Sequence, residues 1–374
     1  LTGCVWGFSW QIGLLAVNSL TALLLIRFLF GLGEAGAYPN LTRVVGDWFP
    51  FHERAFAQGA IWMSARLGGA FAPFIIGRLS AALGWRQAFW VLGAAGVSWC
   101  VVFWIWFRDT PEEKPECNEA ERDLIRTGNS EQVPVRSEEQ GVRSEQFTSS
   151  LPAPQRNPFA GRLVFSLTVW SMCAASCFVC FGWYFYPTWQ PQYLKDVYGI
   201  SYEGSELLTG LPFLFGAVGS LLGGRLSDWL VRRTGQRRWG RSLMGIVGFT
   251  TAGLCVLGTG YTTTAWQAVA LLCAAFLVND LAIPVIWAVC ADIGGSYVGT
   301  VAGIMNMAGG VGAVLSPILI PYVLAMLPAE YSGPERWRLI FAGLAASWFL
   351  GALSWIFIDA SKPLFAKESV VRGP

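Results

Sequence analysis

Of 374 residues, 54% are apolar and 13% charged, which excludes a disordered, charge-rich chain. The 26 basic and 24 acidic residues nearly cancel, so the charge balance gives nucleic acid no hold. The single histidine, His52, falls in a polar loop, so the apolar stretches hold no Ser-His or Cys-His pair and the chain does not read as an enzyme.

Ten apolar stretches reach the roughly 20 residues needed to cross a bilayer. They lie near 3–20, 22–46, 56–80, 86–107, 163–189, 205–231, 241–260, 265–290, 298–325 and 336–358. Helices of this length in a soluble protein would show polar outer faces, and these have almost none. The expectation is an all-α membrane protein.

The second stretch carries Arg27 and Glu34, seven residues apart. On a helix they share a face, about 10 Å apart along the axis. A charge at mid-bilayer is unfavourable by about 2.5 kcal/mol or more, so such a pair faces a water-filled path or a partner inside a bundle. A carboxylate that alternates between protonated and ionised forms can couple proton flow to binding, and Glu34 is the candidate, with Arg27 beside it. A buried ion pair that only fixes helix packing is the alternative.

The third stretch carries Arg66 at membrane depth, among Met63, Ser64, Leu67 and Gly68. A guanidinium binds a carboxylate through two parallel hydrogen bonds, which suits an acidic substrate. A packing arginine with an unseen partner is the other reading. Residues 108–162 are long, polar and acidic, and are expected to be a partly disordered linker. Later stretches hold Cys173, Cys177 and Cys180 on one face, read as small core residues rather than a metal site because no histidine is near. Gly219 and Gly223 read as a close-packing motif. Asn279 and Asp280 are unusual at depth, and Asp280 is open to reading as a mere repeat echo of Glu34. Gly31, Gly33 and Gly36 spell a dinucleotide fingerprint but lie inside an apolar span, where no βαβ unit fits. Nothing calls for a cofactor or a metal.

If the spans alternate, segments 47–55, 108–162, 232–240, 291–297 and 359–374 share one side and hold most of the basic residues. The other side holds Arg86, Lys195 and Arg336, so the basic side is expected to be cytoplasmic.

The chain also repeats. Trp85-Arg86-Gln87-Ala88-Phe89 recurs as Trp337-Arg338-Leu339-Ile340-Phe341. Gly59, Met63, Gly68 and Pro73 recur as Gly303, Met307, Gly312 and Pro317 with the same spacing, and Glu34 before Pro39 parallels Asp280 before Pro284. Arg66 aligns with Gly310, so the shared scaffold needs no arginine there. The later half has six spans and the earlier four. At an offset of about 245, the earlier half would start roughly 80 residues before Leu1, so the chain is expected to lack its first two helices.

These features resemble the major facilitator superfamily, twelve helices in two six-helix halves around an alternating-access cavity. Gly224-Arg225-Leu226-Ser227-Asp228-Trp229, followed by Arg232-Arg233 and Arg237-Arg238, fits its loop signature. Within it, the chain is similar to the anion:cation symporters through Arg27-Phe-Leu-Phe-Gly31-Leu-Gly33-Glu34, Pro39, Asp47-Trp48-Phe49-Pro50 with Glu53-Arg54-Ala55, then Tyr184, Trp189, Pro191, Tyr193 and Gly303-Ile-Met-Asn306-Met. The resemblance covers nearly all of the chain except 108–162. It implies that 1–107 holds helices 3–6 of the full fold and 163–374 holds helices 7–12.

It further implies proton coupling at Glu34 with Arg27. A first-helix acid and a first-helix substrate arginine would fall outside this chain. Substrate contacts are implied at Tyr184, Trp189, Gln190 and Asn306, beside Arg66 and Asn279, which their polarity at depth marks, and a conformational-switch loop at Gly224, Asp228, Arg232 and Arg233. Tyr, Gln and Trp offer the hydroxyl partners and flat apolar face that a sugar acid needs, although Trp189 also suits an interfacial anchor. The expected activity is proton-coupled symport of an organic anion, a hexuronate, aldonate or aldarate, by a monomer in a bacterial inner membrane. A drug efflux antiporter and a transporter-like sensor are the alternatives.

Overall fold

Proline and glycine decide where the helices begin and end. The computed structural model describes residues 20–130, 163, 165–201, 205–328 and 331–364. The second apolar stretch is not one helix. It divides into α1 (Leu20–Glu34) and α2 (Ala37–Trp48), with a turn at residues 35–36. Pro39 has no N–H for the Ala35 carbonyl and its ring crowds that oxygen, so the helix stops and restarts with Pro39 in the first turn. Helix α3 (Arg54–Leu83) ends at Gly84, whose φ of 87° suits only glycine, and α4 (Trp85–Trp106) follows at once.

Residues 108–130 are more ordered than a linker of that composition suggests. Helix α5 (Glu119–Ser130) is started by a reciprocal cap. Asn118 Oδ1 accepts from the Glu121 N–H at 2.8 Å, and Glu121 Oε2 accepts from the Asn118 N–H at 3.3 Å. Gly128 lets α5 lie against Pro50. The rest of the expected linker, 131–162, lies outside the described residues, as does the expected span 3–20 apart from Leu20.

The remaining helices are α6 (Leu167–Trp183), α7 (Phe185–Thr188), α8 (Gln190–Tyr198), α9 (Glu206–Thr234), α10 (Arg237–Thr259), α11 (Ala265–Ile293), α12 (Val298–Met326) and α13 (Gly333–Trp355). Among the described residues, nine helical segments are long and apolar enough to cross a membrane. The repeat is visible in register: Pro73 stands nineteen residues after the start of α3, and Pro317 nineteen after the start of α12.

Helix α9 is the wedge of the fold, packed on α3 on one side and on α11 on the other. Gly219 and Gly223 lie against the backbone carbonyls of Leu277 and Leu281, so a side chain at either would collide with α11. This is the close packing their spacing indicates. The buried core is concentrated in α6, α10, α11 and α13, around Phe276, Trp337, Trp348 and Trp355. Helix α1 instead exposes Leu24, Phe28 and Leu32.

Candidate substrate site

Helices α3 and α11 run antiparallel and are joined by two arginine–aspartate rungs. Arg54 pairs with Asp292, and Arg66 with Asp280. The rungs are twelve residues apart on each helix, or about 18 Å. The first lies at the basic end and the second near mid-depth of the bundle.

At mid-depth, Arg66 is 7% exposed and Asp280 is fully buried. Arg66 donates Nε to Asp280 Oδ2, and Nη2 to Oδ1 at 3.1 Å. Two further donors converge on that carboxylate: Ser220 Oγ on α9 at 3.2 Å and Asn279 Nδ2 at 2.8 Å. The Asn279 amide is oriented by Trp348 on α13, whose indole N–H donates to Asn279 Oδ1 at 3.0 Å. Gly216 leaves room for the carboxylate, because a Cβ there would stand 2.9 Å from Asp280 Oδ2.

Aromatic rings enclose the guanidinium. Its carbon lies 4.9 Å from the Trp183 ring centroid and 5.2 Å from those of Trp62 and Phe276. Tyr38 stacks on Trp62 at 4.7 Å, and Trp287 closes the cluster at 5.8 Å from both. Among the described residues, three donors in this cluster have no hydrogen-bond partner: Arg66 Nη1 and the buried indole N–H groups of Trp62 and Trp183. Buried donors normally find acceptors, so the cluster has the form of an anion site: a cation, two neutral donors and flat apolar walls.

Of the residues singled out in the sequence, the structure brings Arg66 and Asn279 into this network. Tyr184 packs against Trp183 at 5.1 Å and is 37% exposed. Glu34, the last residue of α1, is exposed and stands within electrostatic range of Tyr38 and Tyr184. Arg27 is also exposed, and no ion pair joins it to Glu34 among the described residues. Gln190 is buried but donates its amide to the Leu208 carbonyl at 3.0 Å, tying α8 to α9. Trp189 caps α8 and packs on the core, and Asn306 is half-buried on α12; neither joins the Arg66 network. Sequence reading missed Tyr38, Trp62, Trp183, Ser220, Phe276 and Trp287. Spacing held a signal for one of them, since Trp62 lies four residues before Arg66 on the same face of α3.

The basic end is closed by a buried charge cluster. Arg241 reaches Asp228 Oδ1 at 2.6 Å, Asp292 Oδ2 at 3.2 Å and Ser227 Oγ at 3.2 Å. Arg54 donates to Asp292 Oδ1 at 3.4 Å and to the carbonyls of Gly46 and Ala291. Asp228 also accepts from the Phe56 N–H at 2.8 Å, in the first turn of α3, where a carboxylate is favoured by the unpaired amides. Gly224 lets the Ala55 carbonyl approach α9. Arg232 and Arg233 are exposed, with Arg233 resting on Trp229 at 5.2 Å; the arginine that engages Asp228 is Arg241.

The Major Facilitator Superfamily family pattern matches residues 1–317. The chain is 34% identical over 369 residues to the probable sulfoacetate transporter SauU of Cupriavidus necator, covering 98% of this chain and 78% of that protein. It is 28% identical over 344 residues to the probable galactarate/D-glucarate transporter GudP of Escherichia coli, covering 91% and 72%. It is 25% identical over 363 residues to the hexuronate transporter of Bacillus subtilis, covering 96% and 78%. Among solved structures, the human organic anion transporter MFSD10 superimposes with a TM-score of 0.62 at 16% identity, covering 95% of this chain and 75% of that one. At that identity the likeness speaks for the fold alone.

Proposed function

The chain belongs to the Major Facilitator Superfamily, and from that premise we propose that it carries an organic anion across a membrane together with protons. The superfamily and the relatives named above are transporters, not enzymes, and those relatives are named for organic and sugar-acid anions. The observation that carries the proposal is the Arg66 cluster, a buried guanidinium at mid-depth whose Nη1, with the Trp62 and Trp183 indoles, finds no acceptor among the described residues. A carboxylate or sulfonate supplies the acceptors those donors lack. An efflux pump for apolar drugs would need a cavity without a fixed arginine, and a sensor would bind the anion without moving it.

The cargo is a sugar acid, a hexuronate, aldonate or aldarate. A second reading, a short sulfonated acid, is favoured by the aromatic lining around the guanidinium. Arg66 holds the acid group, and Tyr184 and Asn279 line or orient the site. Glu34 with Arg27 serves proton coupling, supported by the nearness of Glu34 to Tyr38 and Tyr184 beside the Arg66 cluster. Gly224 and Asp228 act in the switch at the basic end. We read 1–107 and 163–374 as the two halves and 108–162 as the linker, with the linker and C-terminus cytoplasmic in a bacterial inner membrane. The working unit is a monomer.

The test is uptake of labelled galactonate, glucarate, glucuronate, sulfoacetate and a neutral sugar into vesicles, with and without an inward proton gradient. Gradient-dependent entry of one acid and not of the sugar is expected. Equal, slow entry of all five would remove the proposal.

A further inference from the structure

Arg66 is already occupied. A site built only to hold an acid would leave its guanidinium free, yet here Asp280 takes both Nε and Nη2, the edge best suited to a second carboxylate. An acid arriving at Nη1 beside an ionised Asp280 would place two negative charges around one positive charge, in a site screened by aromatic rings. Buried like charges of this kind do not both stay ionised; one takes a proton. Resting on the reading of the chain as an anion carrier, we propose that Asp280 is the internal competitor of the substrate: it holds Arg66 while the site is empty and releases it to the incoming acid on taking up one proton.

The surroundings of Asp280 suit both states. With Arg66 in place, the carboxylate has four hydrogen bonds, two from Arg66 and one each from Ser220 and Asn279. When Arg66 leaves, the last two remain. Ser220 Oγ both donates and accepts, so its hydroxyl can turn and accept the new carboxyl O–H. Asn279 cannot turn with it: the Trp348 indole only donates, so Asn279 keeps Oδ1 toward Trp348 and Nδ2 toward Asp280. The charge balance closes. The resting pair is neutral, and so is the loaded state of one guanidinium, one acid monoanion and one protonated Asp280. On release, the proton leaves Oδ and the pair reforms.

The groups that face the pair from neighbouring helices are few. Arg66 is the cation, from α3. Tyr186 of α7 is within electrostatic range of Asp280, with Cys273 of α11 and Cys255 of α10 behind it. Cys180 of α6 lies near Arg66, as does Tyr38 of α2, which also feels Glu34. Ser220 of α9 and Trp348 of α13 do not titrate. Among the described residues Glu34 is the other acid in reach; it stands behind Tyr38 without bonding Arg66, so in this proposal it passes the coupling proton to and from the site and Asp280 holds it.

The experiment measures binding of sulfoacetate and galactonate to the purified full chain from pH 5 to 8.5, together with proton uptake in weak buffer. In the wild type, apparent affinity is expected to fall about tenfold per pH unit above a midpoint, with one proton taken up per anion at pH 8. Asp280→Asn is expected to bind with no pH slope and no proton uptake, at the affinity the wild type reaches in acid. Ser220→Ala, which removes a charge-assisted bond to the ionised form, is expected to shift the midpoint to higher pH. A wild-type slope retained in Asp280→Asn would give the coupling proton to another group, with Glu34→Gln as the comparison, and would overturn the proposal. Loss of all binding in a folded Asp280→Asn protein would also overturn it, by making Asp280 a support for Arg66 rather than its competitor. If Asp280→Asn does not fold, an unmoved midpoint in Ser220→Ala overturns it instead. A wild type that binds neither acid would remove the anion-carrier reading, and this proposal with it.

Discussion

Arg66 and Asp280 have little value as a stabilising pair and large value as a matched one. Desolvating two charges nearly cancels their attraction, but removing one partner leaves the other buried and uncompensated. Arg66→Ala should therefore destabilise the protein by about 3–5 kcal/mol, and Arg66→Ala combined with Asp280→Ala by less than the single change. Thermal unfolding of the four proteins in detergent completes that cycle. Trp62→Phe keeps the ring over the guanidinium and removes an unmatched N–H donor. Anion binding should weaken about fivefold, the loss of one hydrogen bond worth about 1 kcal/mol, with little change in unfolding temperature. At this scale the sequence was half legible. A lone arginine in an apolar stretch announces itself because charge at depth is so unfavourable. Its partner is 214 residues away, and no periodicity within either helix reports which helix will lie opposite. Asp280 thus looked like an echo of Glu34, whereas in the structure it is the counter-ion of Arg66.

The helices show where local chemistry is enough and where it is not. Gly219 meets the Leu277 carbonyl of α11, a backbone atom that cannot swing aside. Gly219→Ala should force α9 and α11 apart, with a loss of about 1–3 kcal/mol typical of overpacking, read as a lower unfolding temperature; Gly310→Ala, with open space around it, should be silent. Among the described residues the order of the spans was legible because each is a long apolar run bounded by glycine, proline or charge. The break at 35–36 went unread, although Pro39 and Gly36 together specify it. Proline alone does not decide such a break: Pro284 sits inside an unbroken α11, where tertiary packing on α9 and α10 holds the helix together. Helix α5 was missed for the opposite reason. Its composition reads as linker, and only the reciprocal cap between Asn118 and Glu121 marks its start.

For the molecule as a whole, the closed basic end depends on Asp292, which two arginines share. Asp292→Asn should loosen both at once. Hydrogen bonds to charged groups contribute about 1.5–3 kcal/mol each, so the open population at that end should rise tenfold or more. A cysteine placed at Met63 should then react correspondingly faster with an impermeant thiol reagent applied from that side. The superfamily architecture was legible from the repeat and the Asp228 signature. The closed end was not, because closure depends on the register of α3 against α9 and α11, and on Arg241, which stands outside the signature. One further consequence follows from the charge inventory. The buried charged side chains within the described helices are Arg54, Arg66 and Arg241 against Asp228, Asp280 and Asp292, three of each sign, so their charges cancel in pairs. With one proton taken up by Asp280 per acid, a singly charged cargo would cross without moving current, and the membrane voltage would neither help nor hinder it. A doubly charged cargo would carry one negative charge inward against an interior-negative potential, opposed by about 2.3 kcal/mol per 100 mV. The valence of the acid, set by neither Arg66 nor Asp280, would then decide whether the cell's voltage works against its own uptake.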